Sequence, residues 1–224
     1  MEEKMREKEE LVDYGKKIHQ AGLSDGTSGN LSVYFPDKKI MAISPSGMEY
    51  EKMTPEDMVL MDLSGKILEG RRLPSSEWML HAELYKRKIA RAIIHTHPPY
   101  SSVFAVLRKP LGPIHAMIAN LHTAEIPCAE YRIYGSEDLA KVTVSAMEES
   151  RAVLMANHGL LVYGESLEEA LRGTETVEVL ARLTYRAMAI GSPHFLSQNE
   201  VSAVLKKLPH YGQKNEKGVG ETDA

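Results

Sequence analysis

His95 and His97 stand two apart at the end of the apolar run Ala92-Ile93-Ile94. In an extended strand successive side chains alternate between faces, so these two imidazoles point the same way and can share one cation. A third, His158, follows the apolar segment Ala152 to Ala156 within Asn157-His158-Gly159, again just past the end of a strand. Neutral imidazole is a favoured ligand of zinc and related divalent ions, and a three-His set leaves a coordination position open for water or substrate, which a catalytic site requires. The other histidines, His19, His81, His115, His122, His194 and His210, lack this placement and read as surface or packing residues. Cys128 is the only cysteine. An intrachain disulfide and a thiolate-clustered zinc site are therefore excluded, and Cys128 reads as a small buried hydrophobe.

Three segments are rich in hydroxyls, glycine and turn residues: Thr27-Ser28-Gly29-Asn30, Ser44-Pro45-Ser46-Gly47 and Pro74-Ser75-Ser76. Each can present backbone N–H groups to an anion, the third at the start of a helix where the dipole adds to the attraction, and together they could hold a phosphate. Glu77 follows directly. Its carboxylate suits the first turn of a helix, and beside a metal it could abstract a proton next to a polarised carbonyl.

The elements that must carry these residues follow from local patterning. Apolar residues at helical spacing predict a helix over Met5 to Ala21. Leu31 to Phe35 and Ile40 to Ile43 flank the polar turn Pro36-Asp37-Lys38 and predict a hairpin; Met58 to Asp62 and Lys66 to Leu68, joined by Ser64-Gly65, predict a second. Ser75 or Ser76 can cap a helix reaching about Lys88, before the buried strand Ala92 to His95. Pro98 and Pro99 suit the first turn of a helix through Leu107. A helix over Ser136 to Glu148, strands at Ala152 to Ala156 and Leu160 to Tyr163, and a short helix over Ser197 to Leu208 complete the pattern. Between these last two lies the clearest helix start, a Ser166-x-x-Glu169 capping box opening a helix to about Ile190 that stops at Gly191. Hairpins mixed with helix-flanked strands predict a mixed sheet with helices on both faces.

At 224 residues, with 43% apolar and 26% charged residues, the chain suits one folded domain over residues 1–208, with a polar tail, 209–224, expected to be mobile. A formal charge of -4, with acidic and basic residues intermixed, offers no positive field for nucleic acid. The N-terminus lacks the apolar core of a signal peptide and no apolar run is long enough for a membrane, so a cytoplasmic location is expected.

Five motifs, TSGNLS from Thr27, SPSG from Ser44, PSSEW from Pro74, HTHPP from His95 and NHG from Asn157, occur in the order found in the class II aldolase/adducin family. The chain resembles that family from its first helix to about Leu208, and within it the L-fuculose-phosphate aldolases. The resemblance implies a three-layer α/β/α domain with a central mixed, largely antiparallel sheet, assembled as a homotetramer with sites between subunits. It implies Zn2+ (Mn2+ or Co2+ as alternatives) on His95, His97 and His158, with Glu77 as acid/base and as ligand of the metal site in the absence of substrate. It implies phosphate binding at Thr27, Gly29, Asn30, Ser46, Gly47, Ser75 and Ser76. The reaction implied joins or releases dihydroxyacetone phosphate and a short aldehyde such as L-lactaldehyde, with Tyr211 handling the aldehyde-side proton. Two positions depart from the pattern near the aldehyde: Ala116 replaces a tyrosine and Tyr134 a phenylalanine, which leaves the aldehyde preference open. Ribulose-phosphate 4-epimerases share the fold and the metal but resemble this chain less at position 77, where they carry aspartate. Sugar-phosphate dehydratases or decarboxylases of the superfamily are further alternatives; a non-catalytic adducin-like module is disfavoured by the intact histidines.

Overall fold

The computed structural model describes residues 2–87 and 90–208. Tyr211 and the tail from residue 209 lie outside the described residues. The apolar segments become eight strands of one sheet: β1 (Asn30–Phe35), β2 (Ile40–Ile43), β3 (Val59–Asp62), β4 (Ile67–Glu69), β5 (Ala92–Thr96), β6 (Cys128–Ala129), β7 (Ala152–Met155) and β8 (Gly159–Gly164), in the order β4-β3-β2-β1-β5-β8-β7-β6. Every pairing is antiparallel except β6 with β7. The sheet is thus mixed and largely antiparallel, as the patterning and the resemblance lead one to expect.

Helices α1 (Glu2–Gln20), α3 (Pro99–Leu107) and α5 (Leu167–Ile190) cover one face; α2 (Trp78–Arg87) and α4 (Glu137–Ala146) cover the other, and α6 (Gln198–Lys207) packs beside the 3-10 segment Ala116–Leu121. The alternation of strand residues assigns them to these layers. In β5, Ala92 and Ile94 join the core under α1 and α5, while Ile93 joins the core under α2 and α4, which puts His95 on the α2 side. In β1, Leu31 and Val33 face α1, so Asn30 and Ser32 also lie on the α2 side, opposite His95 and Ile93 in register.

Several helix starts follow the hydroxyl signals, with one correction. Ser136 and Ser197 accept from the N–H groups of Leu139 and Glu200, and Ser197 with Glu200 forms a full reciprocal box. Ser166 accepts from Glu169 N–H, but the expected return bond is missing: the Glu169 carboxylate takes Glu165 N–H and Arg151 instead. Cys128 is half-buried on the edge strand β6, not fully buried as its sequence surroundings suggested. No helix among the described residues is long and apolar enough to cross a membrane.

Candidate active site

The three histidines come from the end of β5 and from the turn between β7 and β8, and they converge. His95 is fully buried on β5, hydrogen-bonded in register between Asn30 of β1 and Leu161 of β8. His97 lies just beyond β5, its N–H donating to Leu23 O at 3.2 Å. His158 sits in the turn between β7 and β8, where Asn157 takes a left-handed φ of 52° that asparagine tolerates better than most residues. That turn is pinned by Asn157 N–H on Ala105 O (3.0 Å), Arg108 Nε on Asn157 Oδ1 (2.9 Å) and His158 N–H on Met155 O (3.0 Å). Gly159 comes next, and a Cβ there would lie 2.5 Å from both His97 Cδ2 and Thr96 O. Only glycine lets the rings close up.

One ligand nitrogen from each imidazole lies within 4.8 Å of the others. His95 Nε2 and His97 Nε2 are 3.0 Å apart. His95 Nδ1 lies 2.9 Å from Leu160 O; a carbonyl only accepts, so Nδ1 carries a proton and Nε2 is directed at the cluster, the usual way a protein orients a ligating imidazole.

Glu77, buried immediately before α2, closes the site. Its Oε2 lies 3.1 Å from His95 Nε2 and accepts from Asn30 Nδ2 at 3.0 Å; its Oε1 is 3.4 Å from His158 Nε2 and is buried without a hydrogen-bond partner. Burial raises the pKa of this carboxyl, but His95, His158 and Asn30 outweigh it and hold the group well below the usual range, as a carboxylate. Burial lowers the pKa of His95, and here the charge and hydrogen bond of Glu77, with the Leu160 carbonyl, win and raise it. Burial and the positive charge of His95 push His158 down to about 4, and with His158 also contributing push His97 down to about 3. Inward-facing nitrogens and an orphaned buried carboxylate oxygen are a donor set that a divalent cation would satisfy.

The hydroxyl- and glycine-rich segments meet beside this cluster. A cavity of about 360 Å³ is lined by Thr27, Gly29, Asn30, Ser46, Gly47, Ser75, Ser76 and Tyr134, together with Glu77, His97 and His158. The segments are tied together: Ser75 N–H donates to Ser44 O and Ser46 N–H to Leu73 O, both at 3.0 Å, while Ser44 Oγ accepts from Leu31 N–H at 3.2 Å. Among the described residues the N–H groups of Gly47 and Ser76 have no partner and remain for a ligand. Ser75 Oγ accepts from Glu77 N–H at 3.3 Å, and α2 begins at Trp78, two residues later than a cap at Ser75 implies.

Tyr131, Arg132 and Asn157 also line the cavity, and the sequence marks the first two only by a cation among tyrosines in an irregular segment. Ala116 does not border the cavity, and Tyr211 lies outside the described residues. Sequence alone marks His81 as a surface or packing residue, and its place in the structure is more specific. It is fully buried, with Nδ1 2.6 Å from Ser32 Oγ and Nε2 2.6 Å from Asn30 Oδ1, and burial first, then the charge of His95, pushes its pKa down to about 3. The signal lies in the spacing: Glu77, just before α2, and His81 and Tyr85 on it repeat at four and face Asn30 and Ser32, two apart on β1.

Three imidazoles able to hold a divalent ion around a buried carboxylate, opening on a hydroxyl-lined cavity in an α/β/α fold, are the arrangement of an α/β enzyme whose site fits a metal. Residues 9–185 match the family model described as Class II Aldolase and Adducin N-terminal domain, and the chain belongs to this family, as an enzyme of its aldolase side. It is 39% identical over 210 residues to a 5-deoxy-D-ribulose 1-phosphate aldolase of Bacillus thuringiensis serovar kurstaki, covering 93% of this chain and 98% of the relative. It is 38% identical over 210 residues to an L-fuculose phosphate aldolase of Haemophilus influenzae, covering 93% and 96%. A solved structure of an L-fuculose 1-phosphate aldolase superposes with a TM-score of 0.89 at 41% identity, over 91% of this chain and 96% of that one.

Proposed function

We propose that this chain is a zinc-dependent aldolase that reversibly cleaves a ketose 1-phosphate, such as L-fuculose 1-phosphate, into dihydroxyacetone phosphate and a short aldehyde. The observation that carries this reading is the meeting of three anion-type segments with the imidazole cluster and Glu77 in one cavity. His95, His97 and His158 would hold the ion, with Glu77 able to join them. When bound, zinc supplies a Lewis acid that polarises a carbonyl and stabilises developing negative charge.

The chain's own groups do the rest. The N–H groups of Gly47 and Ser76, with hydroxyls of Thr27, Ser46, Ser75 and Ser76 and the backbone of the adjoining Gly29 and Asn30, hold the phosphate. Glu77, kept as a carboxylate, takes the proton from the hydroxymethyl carbon of dihydroxyacetone phosphate in synthesis and returns it in cleavage. Its orphaned Oε1 is the oxygen available for that transfer. Tyr211 is proposed for the proton on the aldehyde side, and Tyr134 for packing against the aldehyde.

The ketose phosphates named for the relatives share carbons 1 to 3 and the phosphate, and differ in the aldehyde released: lactaldehyde from a 6-deoxyhexulose, acetaldehyde from 5-deoxyribulose. A 5-deoxyribulose 1-phosphate substrate is therefore the second reading, favoured by the 39% relative. We further propose a homotetramer, to which the exposed apolar residues Leu107 on α3 and Leu183, Met188 and Ile190 on α5 would contribute, and we place the enzyme in the cytoplasm. The test is to load the protein with zinc and offer dihydroxyacetone phosphate with L-lactaldehyde, acetaldehyde and other short aldehydes, identifying the sugar phosphates formed. Ribulose 5-phosphate, the substrate of an epimerase, is the control. Metal-dependent carbon–carbon bond formation is expected, reduced about 10²- to 10⁴-fold in Glu77→Gln. Epimerised ribulose 5-phosphate with no aldol product would overturn the reading.

A further inference from the structure

One buried chain of polar groups runs between α2 and β1, from Tyr85 near the C-terminal end of α2 to Glu77, and its polarity is fixed from one end. A carboxylate can only accept, so the Asn30 atom 3.0 Å from Glu77 Oε2 is its amide nitrogen. Asn30 Oδ1 is then turned to His81 Nε2, 2.6 Å away, and as an acceptor it requires a proton on that nitrogen. A neutral ring protonated at Nε2 has its lone pair on Nδ1. Ser32 Oγ, 2.6 Å from Nδ1, must therefore donate to it, and Ser32 in turn accepts from Tyr85 OH at 2.8 Å. Ser32 and His81 are inaccessible to solvent, so no water competes for these bonds.

We propose that His81 is a positioning residue for Glu77, orienting the Asn30 amide so that its N–H anchors Oε2 and leaves Oε1 as the proton-transferring oxygen. The inference rests on the acid/base role proposed above for Glu77. A histidine that merely filled space here could take either tautomer or be replaced by an apolar ring of similar size. The proposal demands one tautomer, and it places the loss on turnover rather than on phosphate binding. Without the His81 donor, the Asn30 amide is free to rotate and present its oxygen to Glu77, which would repel the carboxylate and shift it within the site.

The zinc-loaded full-length protein, labelled with ¹⁵N at histidine, tests the polarity directly. The His81 resonances, identified by their absence in His81→Gln, are expected to report a neutral ring protonated at Nε2 and unchanged from weakly acidic to weakly basic pH. Protonation at Nδ1, or a cationic ring, would overturn the proposal. In kinetics, His81→Phe is expected to lower kcat about 10- to 100-fold, the usual cost of losing a group that orients a metal-site residue, with KM for dihydroxyacetone phosphate and zinc content little changed. His81→Gln, which keeps an amide donor for Asn30, should recover most of that loss. Equal losses in both variants, an unchanged kcat in His81→Phe, or an effect confined to KM would each overturn it. If His81→Phe does not fold, the tautomer and the Gln variant decide. Aldol chemistry absent from the wild type, with the expected tautomer present, would instead remove the proposed function and leave the hydrogen-bond chain standing.

Discussion

Glu77 Oε2 lies 3.1 Å from His95 Nε2, and without a cation the two form a buried ion pair: His95 is raised above its ordinary 6.5 while His97 and His158 sit at about 3 and about 4. Between pH 4 and 6.5, then, His95 carries a proton that a metal ion must displace, while the other two imidazoles are largely neutral. Zinc binding is expected to release close to one proton per ion in this window. Apparent affinity should fall about tenfold for each pH unit lost, steepening as His158 begins to protonate near 4. Calorimetry in buffers of different ionisation heat measures the number; a value near zero, or of two or more, contradicts the pairing.

Ser76 tests the anion pocket. It is exposed, lines the cavity and offers an N–H with no partner among the described residues, so an added carboxylate there would repel a phosphate held as proposed without burdening the core. Ser76→Asp is expected to raise KM for dihydroxyacetone phosphate by at least about tenfold, ~1.4 kcal/mol, with zinc content unchanged. Steady-state kinetics with metal analysis checks both; an unaltered KM would move the phosphate elsewhere.

Gly159 tests the packing of the rings. Its added methyl would press at 2.5 Å on Thr96 O, a backbone atom with little room to yield, as well as on His97. Gly159→Ala should destabilise the metal-free chain by about 1–3 kcal/mol in denaturant unfolding, the range of an overpacked core, and also weaken zinc binding. Unchanged zinc affinity would show that the triad does not depend on this close approach.

Features set by neighbouring residues were legible in the sequence. The Pro36-Asp37-Lys38 turn made the β1–β2 hairpin visible, Pro99 opened α3, and alternation along β5 put His95 and His97 on one side. Contacts between distant segments were less so. The Ser166 box formed only by half, because Glu169 is drawn to Arg151, 18 residues away. At Ser197 the carboxylate of Glu200 bonds only to Ser197 among the described residues, and the full motif forms. The two-residue β6 is too short to carry a period. The role of His81 is not legible in its own neighbourhood because it depends on Asn30 and Ser32 of β1, which only the fold brings opposite α2.

The central claim is that His95, His97 and His158 hold one divalent ion between them. Anomalous X-ray diffraction at the zinc edge, from crystals of the zinc-loaded enzyme, measures this directly. The account predicts one strong peak per chain at ~2.0–2.1 Å from a nitrogen of each ring. A peak elsewhere, or one that leaves His158 out of bonding reach, contradicts it.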